Sequence, residues 1–311
     1  MTSMAVVIVN YNTRGHLRVC LRSVLAETPT EVVVADNGSA DGSSEMVRSE
    51  FPRVVLLVNG ANPGYGAAAN AAIAHCRAEY VLLLNSDTVL RPGALDALRK
   101  YLDANPRAAI VGPRLVNPDG TLQRSCHQFP TPLVILLEYS WVGRVFRRIP
   151  GLRLRHLGSF AHDRSRAVPW VMGAALAIRR SAFEAVGGFD RSFFMYYEEV
   201  DLSYRLWRRA WETHFAPVTD VTHFGGASTV QQPSDMFPEQ LAAALHYVER
   251  HHTRERVTQT WFVLKFAMFG KLVADTARYH VTRDAVQRRR LAGRIALWRS
   301  VLGQPWPHAA R

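Results

Sequence analysis

The chain has 311 residues, 48% of them hydrophobic and 21% charged, and a formal net charge of +12. This composition is that of an ordinary soluble globular protein, and the length suffices for one large or two modest domains with a substantial core. The basic balance favours anionic partners: nucleic acid, acidic lipid or phosphorylated small molecules.

In chain order, Ala5–Val9 predicts a strand ending at Asn10-Tyr11-Asn12, and Arg14–Ala26 a helix. Glu31–Ala35 predicts a second strand ending at Asp36, and Ser43–Glu50 a second helix. Val54–Val58 is a third strand, followed by an alanine-rich helix over Gly64–Arg77. Tyr80–Leu84 is a fourth strand ending at Asn85-Ser86-Asp87. Pro92 is expected in the first turn of the next helix, a favoured place for proline. Apolar strands alternating with helices imply a parallel sheet covered on both faces. Such sheets bind ligands beyond the carboxyl ends of their strands. Asn10, Asp36, Asn62 and Asp87 each follow a strand-like run and are expected to converge there.

Residues 121–168 change character. Pro132–Val145 is apolar, offering Leu133, Ile135, Leu136, Leu137, Trp141 and Val145, with Arg144, Arg147 and Arg148 beside it, and it reads as an amphipathic insertion. The sheet resumes near Trp170–Ile178, and beyond about residue 235 the pattern is helical. There, Trp261, Phe262, Phe266, Phe269 and Leu272 stand with Lys265 and Lys271, and Arg288–Arg290 lie beyond. Cys20, Cys76 and Cys126 lack metal-ligand spacing, and their odd number suggests a reduced compartment. Met4–Val9 has neither a basic start nor a cleavage site, so no signal peptide is expected. No run reaches the roughly 18 apolar residues of a membrane span.

Four motifs carry chemistry. Phe193-Phe194-Met195-Tyr196-Tyr197 precedes Glu198-Glu199-Val200-Asp201, which places three carboxylates at a helix start behind aromatic walls. A carboxylate so placed can serve as a general base of tuned pKa, although first-turn acids are also an ordinary capping preference. Asp36-Asn37-Gly38-Ser39 puts a carboxylate at a strand end, able to accept from a nucleobase or a ribose hydroxyl, with Asp41 or Ser43 capping the helix that follows. Asp87, on a sharp turn after a buried strand, can hold a divalent cation beside a diphosphate. His223, in Val221-Thr222-His223-Phe224-Gly225-Gly226-Ala227-Ser228-Thr229, can complete a metal site, and the glycines permit close approach of a diphosphate. Gly64-Tyr65-Gly66-Ala67-Ala68-Ala69 imitates a dinucleotide-binding fingerprint, but Asn59–Pro63 separates it from the preceding strand, and it leaves the other motifs unused.

In order, Val6–Asn12, Asp36–Ser39, Asn62-Pro63-Gly64-Tyr65-Gly66 with Asn70, Asn85-Ser86-Asp87, Trp170-Val171-Met172-Gly173-Ala174, Gly187-Gly188-Phe189-Asp190, Met195–Leu202 and His223–Gly226 resemble an inverting glycosyltransferase of family 2 with the GT-A fold. Within that family the chain looks most like actinobacterial rhamnosyltransferases acting on lipid-linked diphosphate acceptors in cell-wall assembly. The resemblance implies a mostly parallel α/β sheet flanked by helices. A catalytic domain would cover 1–234, divided into a nucleotide-binding half (1–115), the insertion (121–168) and an acceptor half (169–234). A helical region would follow over 235–311. It implies a nucleotide-sugar site formed by Asn10, Asn12, Asp36, Asn62, Gly64, Gly66, Asn70, Asn85, Ser86 and Asp87. Asp87 is the remaining carboxylate of the family's Asp-x-Asp metal motif, whose first position is Asn85 here, and with His223 it would hold Mg²⁺ or Mn²⁺. Glu199 occupies the catalytic-base position, with Glu198, Asp201, Asp190, Trp170 and Gly173 supporting the acceptor side. Pro169 stands where relatives often carry Asp.

The expected donor is dTDP-L-rhamnose, with UDP-galactofuranose or a soluble natural-product acceptor as variants of the same chemistry. The expected acceptor is a glycan or a lipid-diphosphate-linked sugar. The enzyme is expected to be cytoplasmic and peripheral on an anionic membrane surface, the amphipathic segments serving either as lipid contacts or as a homo-oligomer interface. A basic nucleic-acid-binding protein is the competing class, and no recognition motif supports it.

Overall fold

The computed structural model describes residues 3–140, 143, 160–225 and 236–303. The chain forms two compact units, one of Met1–Phe129 with Leu157–Ala243, the other of Pro130–His156 with Ala244–Arg311.

The first unit opens with β1 (Met4–Asn10), α1 (Arg14–Ala26), β2 (Val32–Asp36), α2 (Ser43–Glu50), β3 (Val55–Val58), α3 (Tyr65–Ile73) and β4 (Tyr80–Asn85). Next come β5 (Thr88–Leu90), α4 (Ala94–Ala104), β6 (Ala108–Val116), β7 (Leu122–Gln123) and β8 (Cys126–His127). Beyond α5 (Pro132–Tyr139), which belongs to the second unit, follow β9 (Arg166–Val168), β10 (Trp170–Val171), β11 (Ala175–Arg179), α6 (Arg180–Ala185), α7 (Glu198–Trp207) and β12 (Glu212–His223). The main sheet runs β3-β2-β1-β4-β11-β6-β12-β5, with β7 on β6 and β9 on β12, and β8 and β10 pair separately.

Strand β1 pairs parallel with β2 and β4, and β2 with β3, as the alternation of strands and helices requires. The sheet is nevertheless mixed, because β11 lies antiparallel between β4 and β6. An apolar run such as Ala175-Leu176-Ala177-Ile178 marks a buried strand but not its direction. Alternation along β1 divides the core: Val6 and Ile8 pack with Leu17, Leu21 and Met46 on one face, and Ala5 and Val7 with Ala69, Ala72 and Leu202 on the other. Both ends of β1 are therefore fixed by burial, and its carboxyl end is fixed with them. Pro92 falls in a turn instead of the first turn of α4, which starts at Ala94 behind a left-handed Gly93 (φ 82°). Cys20, Cys76 and Cys126 are free, buried thiols, and burial pushes each up to about 12.

The second unit contains α5, the 28-residue α9 (Arg254–Val281) and α10 (Ala285–Gly303); α8 (Phe237–His251) bridges the boundary in sequence. Thr131 caps α5 by accepting from the Val134 amide, with Pro132 at its first position. Asp275 is buried between α9 and α10, where it accepts from Trp298 Nε1 at 2.8 Å and pairs with Arg294 at 3.0 Å. Of the expected docking residues in α5, Ile135 and Leu137 are buried and Leu133 is exposed. Trp141, Arg144, Val145, Arg147, Arg148 and Gly226–Thr229 lie outside the described residues.

Candidate active site

Strand ends β1 and β4, the Gly64 turn, the Trp170–Ala174 segment and the start of α7 surround a cavity of about 400 Å³. Its walls include Asn10, Asn62, Gly64, Asn85, Ser86, Asp87, Trp170, Gly173, Glu198, Glu199 and His223, eleven of the residues expected from sequence.

Glu198 and Glu199 are the first two residues of α7, entered through Tyr196 and Tyr197, both left-handed at φ 67°. Non-glycine residues in that region cost energy, and here they turn two adjacent carboxylates inward. One oxygen of each, Oε2, is buried without a hydrogen-bond partner. Burial pushes Glu198 well above the usual carboxylate range, and the adjacent Glu199 carboxylate adds to this. Burial also raises Glu199, opposed by helix-start amides and by the Gly173 amide, which donates to its carboxylate. A Cβ on Gly173 would sit 3.5 Å from Glu199 Oε1. The pair thus retains a proton more readily than two surface glutamates.

Across the cavity, His223 Nε2 stands 3.4 Å from Asp87 Oδ1, and each residue is 7% exposed. They meet because the end of β12 pairs with β5 (His223↔Thr88) and the Phe224 amide donates to the Asp87 carbonyl. The Asn85 amide lies 3.5 Å from His223 Nε2. Among the described residues no group of three or more His, Cys, Asp or Glu could enclose a metal. The donor set still fits Mg²⁺ or Mn²⁺. These ions keep waters and substrate phosphates in their shell and need only one or two protein ligands. Asp87 would supply the anionic oxygen and His223 Nε2 the nitrogen.

Asp36 is not on the cavity wall. It is 1% exposed, and its carboxylate accepts from Asn10 Nδ2 (2.8 Å), Ser39 Oγ (2.5 Å) and Ser44 Oγ (2.5 Å). Asn10 and Asn37 form the wall at this strand end. Asn12 holds the neighbouring loop, accepting from the Ala40 amide at 2.7 Å. Asp41 accepts from the Arg14 amide at 2.7 Å and from the Ser43 amide at 3.1 Å, so one carboxylate serves the starts of both α1 and α2. Gly66 lies against Phe189, where a Cβ would approach to 3.0 Å. Asn70 exchanges two 2.8 Å hydrogen bonds with the Phe189 backbone. Asp190 accepts from Ser192 in a local turn. Asp201 is fully buried and pairs with Arg205, whose guanidinium also donates to the Val186 and Gly188 carbonyls. These residues support the walls from behind.

Of the wall residues, His127 and Gln240 lie outside every motif in the sequence, and Asn37, Tyr65 and Met172 lie within motifs without an assigned role. His127 stacks on Trp170 with centroids 4.4 Å apart, and Trp170 Nε1 donates to the Gln128 carbonyl. Tyr65 donates to the Gly173 carbonyl at 3.3 Å, and burial raises its phenol well above the ordinary tyrosine value. Asn37, Met172 and Gln240 also line the cavity. The β8–β10 pairing that brings His127 to Trp170 is two residues long and has no periodic signature.

A buried carboxylate pair facing a carboxylate–imidazole pair, at the carboxyl ends of parallel strands, suits transfer of a group from a diphosphate to a hydroxyl. Comparison with known proteins gives the class: residues 5–187 match glycosyl transferase family 2, and the chain belongs to that family. It is 33% identical over 276 residues to the N-acetylglucosaminyl-diphospho-decaprenol L-rhamnosyltransferase of Mycobacterium tuberculosis, covering 83% of this chain and 88% of that one. The fold is GT-A. It is shared with GalNAc-T7, solved with UDP, GalNAc and Mn²⁺ (TM-score 0.57, 18% identity, 80% of this chain and 48% of that one). It is also shared with a mannosyltransferase of Pyrobaculum calidifontis, solved with GDP-Man and Mn²⁺ (TM-score 0.54, 17% identity, 97% and 83%).

Proposed function

We propose that this glycosyltransferase moves L-rhamnose from dTDP-rhamnose, with inversion, onto a hydroxyl of a lipid-diphosphate-linked sugar. The observation that carries this reading is the placement of Glu199 and the Asp87–His223 pair on the wall of one cavity. Similarity to the mycobacterial rhamnosyltransferase across most of both chains supports the choice of donor and acceptor.

A bound Mg²⁺ or Mn²⁺ would neutralise charge on the departing diphosphate. Asp87 and His223 would hold it, and Asn85 and Ser86 line the same wall. Asn10, Asn37, Asn62 and Gly64 shape the nucleoside end, with Asp36 behind Asn10. Glu199 accepts the proton of the acceptor hydroxyl as its oxygen bonds to the anomeric carbon and the bond to the diphosphate oxygen breaks. One displacement inverts the centre, and no enzyme nucleophile is required. The stacked His127–Trp170 pair offers an apolar platform for the acceptor sugar.

The test is transfer to a synthetic N-acetylglucosaminyl-diphospho-lipid from dTDP-rhamnose and from UDP-galactofuranose, each with Mn²⁺ and with EDTA. Transfer from dTDP-rhamnose alone, lost with EDTA and in Asp87→Ala, is expected. Transfer that survives chelation would remove the metal, and preference for UDP-galactofuranose would change the donor.

A further inference from the structure

The imidazole of His223 can offer only one ring nitrogen to a cation, and the other must carry a hydrogen. A chain of side chains running from the surface decides which. Asp119 Oδ1 accepts the Thr121 hydroxyl at 2.6 Å, and this bond holds the Asp119 carboxyl below the usual range. With its hydrogen committed, Thr121 Oγ1 can only accept from Asn117, which places Asn117 Nδ2 there at 2.9 Å. Asn117 must then turn its Oδ1 towards Gln123, whose Nε2 donates to it at 3.2 Å. That leaves Gln123 Oε1 facing His223 Nδ1 at 2.7 Å. An amide oxygen is an acceptor only, so Nδ1 carries the hydrogen. The lone pair of Nε2 then faces Asp87 and the cavity. On the other side of the ring the Asn85 amide nitrogen, a donor, faces that same Nε2.

The hairpin geometry makes this possible. β7 pairs with the end of β6 in the register Leu115↔Gln123 and Val116↔Leu122, and Asn117–Thr121 forms the turn. β6 pairs in turn with β12, so Gln123 is delivered to the end of the strand that bears His223.

We propose that Gln123 is a positioning residue that fixes the Nδ1–H form of His223, and that the Asn117–Thr121–Asp119 chain fixes the direction of the Gln123 amide. The ligand role of Nε2 rests on the metal reading above, whereas the position of the hydrogen does not. Partners of this kind orient metal-binding histidines and typically contribute about 10–100-fold in metal affinity.

The test has two readouts. Long-range ¹H–¹⁵N spectra of the metal-free protein, recorded where the ring is neutral, report which nitrogen of His223 carries the hydrogen. Calorimetry reports Mn²⁺ affinity in the presence of nucleoside diphosphate. Wild type is expected to show Nδ1–H. Gln123→Leu should shift the ring towards Nε2–H and lower Mn²⁺ affinity about 10–100-fold. Gln123→Glu keeps an acceptor at Nδ1 and should retain the wild-type ring form, which separates loss of the acceptor from loss of fold. Thr121→Val, remote from the cavity, should produce a smaller shift in the same direction. A wild-type ring with its hydrogen on Nε2, or ring shifts unchanged in Gln123→Leu, overturns the proposal. Nucleotide binding by wild type that is equal with and without Mn²⁺ defeats the metal reading instead, and the ring shifts then decide the assignment.

Discussion

The two glutamates that open α7 are adjacent in sequence but differ in the work they can do. Glu199 is partly exposed, lines the cavity and takes stabilising amide hydrogen bonds, whereas Glu198 is 6% exposed and is raised further by its neighbour. Glu199→Gln removes the proposed proton acceptor and should lower kcat by about 10²–10⁴ with donor binding intact. Glu198→Gln reproduces the neutral acid, so kcat and its acid limb should stay close to wild type. Its stability should change. Below the pKa of an unfolded glutamate, both states of the wild type are protonated at Glu198. As pH rises from there to the raised folded value, the unfolded chain releases a proton that the folded protein retains, and stability is lost. Glu198→Gln has no such loss, so its melting temperature should exceed that of wild type at neutral pH and should vary less with pH. Calorimetric melts across that window check this, and a lower melting temperature for the variant at neutral pH would refute the assignment. Residue type and local spacing were enough to single out this pair, Asp87 and His223. They could not show that the Asp36 carboxylate is spent on Asn10, Ser39 and Ser44, because its serine partners are recognisable only once the loop has closed.

At the scale of elements, α1 and α2 have the bounds that capping and periodicity predict, and α7 begins at the acidic run. These signals are local. The antiparallel insertion of β11 and the grip of Asn70 on Phe189, 119 residues away, are products of tertiary packing and leave no periodic trace. The turn before α3 joins the two kinds of information. Gly64 has φ +89°, and a Cβ there would lie 2.3 Å from the Phe194 carbonyl oxygen, which also accepts from the Tyr65 amide at 2.9 Å. The glycine therefore lets the start of α3 touch the aromatic segment that leads into α7. Gly64→Ala combines a left-handed backbone penalty with a clash against backbone, which should cost more than about 1 kcal/mol. The melting temperature should fall by at least about 2–4 °C for a domain of this size. Because the displaced segment carries Tyr196, Tyr197 and the two glutamates, kcat should fall as well. Wild-type values of both would show that the 193–197 segment is not held by this contact.

For the whole molecule, the question is how a protein with net charge +12 and no helix in the described residues long and apolar enough to cross a membrane would reach the lipid-linked acceptor proposed for it. Helix α9 carries Phe262, Phe266, Phe269 and Val273 at 52–62% exposure, spaced four, three and four residues apart, a single stripe along its outer side. Its opposite side, with Leu264, Ala267 and Met268, is buried. Lys265 donates to the Val301 and Leu302 carbonyls of α10 and stacks on Trp261, so it is structural. Basic charge in this unit instead comes from Arg288, Arg289, Arg290 and Arg299 of α10, a helix with no acidic residue whose Arg294 is committed to Asp275. An apolar stripe with basic neighbours suits adsorption to anionic lipid, each nearby Lys or Arg adding about 1 kcal/mol at low salt. We therefore predict flotation with anionic but not neutral vesicles, fading as salt shortens the screening length to about 8–10 Å and below. Replacing Phe262, Phe266 and Phe269 by Ser should abolish flotation while leaving transfer to a water-soluble acceptor analogue unchanged, since none of the three lines the cavity. Flotation that persists in the triple variant would assign the membrane contact to the arginines alone. A wild-type protein that stays unbound at low salt but sediments as a dimer would make the stripe a subunit interface.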